Sequence, residues 1–306
     1  GATAKVQANK AINNAKIIGY YYNDDGSYGY GYNESNPLST FKNDLENPNN
    51  AGGGGFYLNG GTLTHNAGYI GGESENIPLT ATDATDNLKG NVTIKGFGAG
   101  IYVASSANYI NGGTGAYVWN NYAGDTDRSG YLLGRGGGIY FKGKTNYTIP
   151  QNIINCVRYN FAQYGGGLCL DGGSYTLNSG IMSNNNAGLG GGGICAANNA
   201  SVTISGLEIC NNALEGNDDS SICSYSITLA CFGAGFYQYS GTFKMTSGNI
   251  HNNGVNDIFT DTKNVTATVE GGGLHLYKVS ATINGGEIHH NNLRGLVKEE
   301  VTRVDY

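Results

Sequence analysis

Charge is scarce in this chain. Only 13% of its 306 residues are Asp, Glu, Lys or Arg, and the formal net charge is -6. A surface so poor in Lys and Arg cannot hold nucleic acid through its phosphates. Pro (4), Met (2) and Trp (1) are rare as well. Leu, Glu and Lys, which form helices well, are few, and that argues against a helical protein. No apolar run approaches the ~18 residues that a membrane-crossing helix needs. Among the six cysteines there is no Cys-x-x-Cys pair, so a zinc ribbon is not expected. The abundant residues are Gly (52) and Tyr (23). Disorder is the alternative for a Gly-rich polar chain. The apolar 39% is spaced too regularly for that, and the spacing implies a folded chain.

Self-similarity organises the sequence. A short string recurs seven times: Gly55-Phe56-Tyr57-Leu58, Gly100-Ile101-Tyr102-Val103, Gly138-Ile139-Tyr140-Phe141, Gly167-Leu168-Cys169-Leu170, Gly193-Ile194-Cys195-Ala196, Gly235-Phe236-Tyr237-Gln238 and Gly273-Leu274-His275-Leu276. The repeats are 26 to 45 residues apart. A second string, apolar-x-x-Asn, follows and ends at Asn121, Asn160, Asn185, Asn212, Asn253 and Asn291. In the first unit Glu73 is expected to take the Asn place. A third apolar segment, such as Val202-Thr203-Ile204, lies between the two strings. Three short alternating segments per unit read as three strands. A unit of 26 residues is about one circuit of a parallel coil, with strands ~4.8 Å from their copies. The expected fold is all-β: a right-handed parallel β-helix of about seven circuits, with insertions at one corner. A propeller is the competing architecture, but its blades need roughly 40–50 residues. The boundaries read 1–50 for a non-repeat N-terminal segment, 51–293 for the coil and 294–306 for a strand-like tail. The stacked Asn amides are expected to bond in a column along the coil.

Gly136-Gly137-Gly138-Ile139 with the later apolar-x-x-Asn string resembles the repeat of the chlamydial polymorphic outer-membrane proteins, over residues 53–293. That family's pair is Gly-Gly-Ala-Ile and Phe-x-x-Asn. Here Gly replaces the Ala, and Val, Met or Ile replaces the Phe. The resemblance implies a β-helix, secretion, surface display and adhesion.

The middle residue of each Gly string is expected to point outward. That would form a column of Tyr57, Tyr102, Tyr140, Cys169, Cys195, Tyr237 and His275, read either as a face for sugars or as stacking that stabilises the sheet. The extra chain of the longer units falls mostly between the Asn string and the next Gly string, at about 71–97, 124–135, 214–232 and 255–270. Twelve acidic and five basic residues lie there, so the negative excess of the whole chain sits in these loops. Asp125 with Asp127, and Asp218 with Asp219, are weak candidates for calcium; no other cofactor is expected. His251 and His289 should stack, as ladder residues or as a shared metal site. The even cysteine count fits disulfides in an oxidising compartment. The expected pairs are Cys169–Cys195, at one place in adjacent circuits, and Cys223–Cys231, bracketing an insertion. Asn-x-Ser/Thr sequons at Asn33, Asn91, Asn146, Asn199 and Asn264 are glycosylated only where the source modifies secreted proteins.

Two function classes remain. One is a non-catalytic extracellular or cell-surface protein, structural or adhesive, whose partners are its own copies or a cell-surface glycan or protein. Open sheet edges at either end would allow end-to-end assembly into a filament, unless residues 1–50 fold back as a cap. The other class is a polysaccharide lyase or hydrolase. Such chemistry needs clustered carboxylates, or calcium with a base. The Gly-His-Gly and Arg-x-Lys strings of pectin hydrolases are absent, and the acids sit in insertions, so the non-catalytic class is favoured.

Overall fold

The computed structural model describes residues 5–7, 10–12, 19–22, 28–31, 51–78, 83–94, 96–124, 134–214, 227–255 and 265–292. The protein is mostly β-strand, and nearly every strand pairs in parallel with its copy in the next unit. Phe56–Leu58, Ile101–Val103, Ile139–Lys142, Leu168–Asp171, Ile194–Ala197, Phe236–His251 and Leu274–Ile283 lie side by side without a register slip along the Gly strings. The apolar-x-x-Asn strings form a second parallel ladder in two paired stretches: Gly61–Gly71 with Ala107–Trp119 and Val157–Arg158, and Ile181–Ser183 with Ser201–Cys210, the end of Phe236–His251, and Glu287–His289. A third ladder directly follows the Asn residues: Val92–Ile94, Tyr122–Gly124, Phe161–Tyr164, Asn186–Gly190, Ala213–Leu214 and Gly254–Val255. Sequence reasoning did not single these residues out as strands; of the six, only Val92–Ile94 falls wholly within an expected insertion, 71–97.

The core follows from the alternation. Ile101, Ile139, Leu168, Ile194 and Phe236 point inward from the Gly strings and are fully buried. They meet Val118, Val157, Met182, Ile209 and Ile250 from the second ladder, also fully buried. The first and third glycines of each string have separate duties. The first (Gly53, Gly98, Gly136, Gly165, Gly191, Gly233, Gly271) always has φ between +57° and +67°, where a side chain is strained. The third packs against the Asn column; a Cβ on Gly100, Gly138, Gly167 or Gly193 would lie 3.0–3.1 Å from the amide nitrogen of Asn121, Asn160, Asn185 or Asn212. The two strings therefore recur together because one packs on the other. At the second position a Cβ on Gly54, Gly137, Gly166 or Gly192 would lie 2.0–2.6 Å from a backbone carbonyl oxygen of the third ladder, yet Ala99 and Ala234 occupy that place in two units.

Each Asn of the column is bonded to the next, in all but one case twice. The backbone N–H groups of Asn121, Asn160, Asn185, Asn212 and Asn253 donate to the Oδ1 of the following Asn at 3.0–3.1 Å. Nδ2 donates to that same oxygen at 2.9–3.1 Å from Asn121, Asn160, Asn212 and Asn253. The residue before each Asn has φ between +51° and +57° (Asn120, Tyr159, Asn184, Asn211, Asn252, His290). Asn tolerates that conformation, which accounts for the recurrent Asn-Asn.

The first unit corrects the expectation for Glu73. Asn91 fills the Asn place, donating from Nδ2 to Asn121 Oδ1 at 3.0 Å. The chain leaves the ladder at Gly71 and re-enters it at Gly90, where a Cβ would collide with the Asn120 carbonyl. Asn91 is fully buried, so its sequon is closed to a glycan. Asn146 and Asn199 are exposed, while Asn33 and Asn264 lie outside the described residues. At the N-terminal end Lys5–Val6 pairs with Tyr69–Ile70 and Lys10–Ile12 with Val92–Ile94, both in parallel. Gly19–Tyr22 and Tyr28–Gly31 form an antiparallel pair. The tail 294–306, Asp125, Asp127, Asp218 and Asp219 lie outside the described residues.

The expected disulfide between Cys169 and Cys195 is not formed. Both are buried free thiols, as are Cys156, Cys210 and Cys231; Cys223, the expected partner of Cys231, lies outside the described residues. Cys169 and Cys195 are register partners. In-register side chains keep the strand spacing of ~4.8 Å, and a disulfide draws its Cβ atoms to about 3.5–4.5 Å. Burial pushes the Cys156 thiol up to about 11 and the Cys231 thiol up to about 12. These five thiols should therefore resist iodoacetamide at neutral pH in the native chain and react once it is unfolded without reductant. Failure of Cys169 and Cys195 to react after unfolding would show a bridge.

Candidate functional site

The Tyr column of the Gly strings is not the open face that alternation implies. Tyr57 is 54% exposed, but Tyr102, Tyr140, Cys169, Cys195 and Tyr237 are buried. A second column covers them. The residue before each positive-φ glycine forms its own ladder, linking Phe97, Arg135, Tyr164, Gly190, Phe232 and Glu270. At that bend the chain turns sharply, so the two columns face each other across a concave corner. Phe97 stacks on Tyr140 at 4.8 Å, and Phe232 lies 5.5 Å from Tyr237 and 4.7 Å from His275, all between ring centroids. Sequence reasoning missed this second column because its members share no residue type. Their fixed place, one residue before the glycine, was the available signal.

The corner opens into a cleft in the later units. Gly190, Cys195 and Ala197 are small where the next unit has Phe232, Tyr237 and Tyr239, so one rung is recessed between larger neighbours. Tyr164, Phe232, Tyr237, Tyr239 and Tyr277 wall the cleft. Tyr239 and Tyr277 stack at 5.2 Å, and Lys278 Nζ lies 5.1 Å from the centre of the Tyr277 ring. Asn198, Asn199 and Ser240 add polar atoms at the rim.

Three charged groups define the electrostatics. Glu270 Oε2 lies 3.4 Å from His275 Nδ1. Burial lowers the His275 pKa and Glu270 opposes this, so the imidazole is neutral at pH 7. At the inner end the buried Arg135 guanidinium lies over the rings of Phe97 and Tyr164, 5.8 and 5.9 Å from their centres. Its Nη1 has no hydrogen-bond partner. The nearby carboxylate, Asp171, accepts from Tyr140 Oη at 2.6 Å and from Asn198 Nδ2. Burial raises the Tyr140 and Tyr164 hydroxyls well above their ordinary value, so both stay protonated. The rings supply apolar faces, and Glu270, Lys278 and the Asn and Ser side chains supply hydrogen bonds. This combination suits a ligand that is apolar on one face and hydroxylated at its edge.

On the opposite ladder His251 and His289 stack with centroids 5.1 Å apart and planes at 3°. No helix among the described residues is long and apolar enough to cross a membrane. No protein-family model, curated protein or solved structure matches this chain.

Proposed function

We propose that the chain is a right-handed parallel β-helix working outside the cell or at its surface in a non-catalytic, structural or adhesive role, with the aromatic cleft contacting a glycan. The coil is supported by the in-register pairing of strands from every unit with those of the next. The extracellular placement rests on the resemblance of the repeat to bacterial surface proteins. The observation that carries the glycan reading is the cleft itself, with five aromatic walls and a polar rim in a concave corner. Glycosidic cleavage by paired acids would need two carboxyl groups about 5–10 Å apart flanking the bond. Among the described residues lining the cleft Glu270 is the one acid, and it is paired with His275. That favours binding over hydrolysis.

The test is calorimetric titration of the full chain with a panel of neutral and acidic oligosaccharides, with reducing ends assayed in parallel. At least one glycan class should bind, and Tyr239→Ala or Tyr277→Ala should weaken it about tenfold, on the order of 1.4 kcal/mol. New reducing ends would establish catalysis instead. Binding that both variants leave untouched would remove the cleft from the reading.

A further inference from the structure

The second ladder carries a side-chain cluster in the same units as the cleft but on a different ladder. Ser183, Cys210, His251 and His289 are register partners, and so are Ile181, Glu208, Asn249 and Glu287 two residues before them. The residues between, Met182, Ile209 and Ile250, are fully buried. Strand alternation therefore turns both columns to the outer face. There His251 Nε2 lies 3.0 Å from Glu208 Oε1, the Cys210 thiol lies within 4.8 Å of both of these groups, and Asn211 Nδ2 donates to Cys210 Sγ at 3.8 Å.

We propose that Glu208, Cys210 and His251 form a binding site for a zinc-class divalent cation, with one coordination position left open. A tetrahedral ion with metal–ligand distances of about 2.0–2.3 Å sets its ligands roughly 3.3–3.8 Å apart, so the three groups, within 4.8 Å of one another, need to close by no more than about 1.5 Å. The Glu208 and His251 side chains keep 38% and 18% exposure, so they have room to rotate, while Cys210 is buried at the floor. Cys and His are soft or borderline ligands, which selects zinc over calcium or magnesium. The register fixes the backbone under all three ligands, since Cys210 and His251 are direct partners. The His289 ring stacks on His251 and so packs against the imidazole of the site. A plain Glu208–His251 ion pair would explain two of these residues. It does not explain a thiol within 4.8 Å of both partners.

The experiment titrates metal-free full-length chain with zinc against a chromophoric chelator, and with cobalt as a spectroscopic probe. The expected result is one equivalent bound, a sulfur-to-cobalt charge-transfer band, and a zinc-dependent rise in melting temperature. Cys210→Ser should abolish the band. Glu208→Gln and His251→Gln should each weaken zinc by at least about tenfold while their metal-free melting curves match the parent. Glu208 is partly exposed, so its variant keeps the test decisive even if Cys210→Ser folds poorly. Absence of a bound equivalent, a band that survives in Cys210→Ser, or zinc affinity unchanged in Glu208→Gln and His251→Gln would overturn the proposal.

Discussion

Asn185→Leu should lower the melting temperature on the order of 10 °C, equivalent to about 3–5 kcal/mol. Asn185 is fully buried at the middle of the column. Its Nδ2 donates to the carbonyls of Val157 at 3.1 Å and Ser183 at 2.9 Å. Its Oδ1 accepts from the backbone N–H and Nδ2 of Asn160, both at 3.1 Å. Leucine approximates the shape but leaves those donors and acceptors buried without partners. Each such group costs ~1–3 kcal/mol, and partial relaxation keeps the total below their sum. Asn178→Ala is the control, because Asn178 is exposed and surface substitutions stay within roughly 0.5 kcal/mol. Thermal unfolding followed by circular dichroism reads both. Equal melting curves for the two variants would mean the column contributes no stability.

A single methyl group in a Gly string should have a comparable effect. A Cβ on Gly138 would lie 2.5 Å from Val157 Cγ1, 2.8 Å from the Gly167 carbonyl oxygen and 3.1 Å from Asn160 Nδ2. The valine cannot retreat, being fully buried in the core, and the carbonyl belongs to the next rung. Gly138→Ala should therefore cost about 3 kcal/mol, at the upper end of overpacking penalties. Denaturant titration should show a lower midpoint with an unchanged slope, since the unfolded surface is the same. A midpoint equal to the parent's would mean that the Gly string and the Asn column are not in contact.

The strand ladders were legible because their signal is local and repeated. Gly138-Ile139-Tyr140-Phe141 alternates by itself, and Gly167-Leu168-Cys169-Leu170 repeats it one rung away. The link between the strings was not legible. Nothing in Gly138 announces that Asn160, in the same unit, packs on its α-carbon. Burial of the Tyr column was likewise hidden. Alternation tells which side of its own sheet Tyr140 occupies, but not that Phe97, from a neighbouring ladder, folds over it. Asn91 escaped because residues 72–90 interrupt the apolar-x-x-Asn spacing between Ile70 and its asparagine. The cleft arises from a difference between rungs, small at Cys195 and Ala197 and large at Tyr237 and Tyr239. A search for what repeats overlooks such a difference.

Segments distant in the chain stack in parallel and in register. Thr148, Thr176, Thr203, Lys244 and Thr282 occupy successive rungs of one ladder, and Thr148, Lys244 and Thr282 are exposed. The direct measurement is dipolar electron paramagnetic resonance between spin labels on Thr148→Cys and Thr282→Cys, with Cys223 replaced by Ser. Four rungs at ~4.8 Å predict a narrow distribution centred near 19 Å. A broad distribution, or a mean beyond roughly 30 Å, would contradict the stack, because four parallel rungs cannot span that distance.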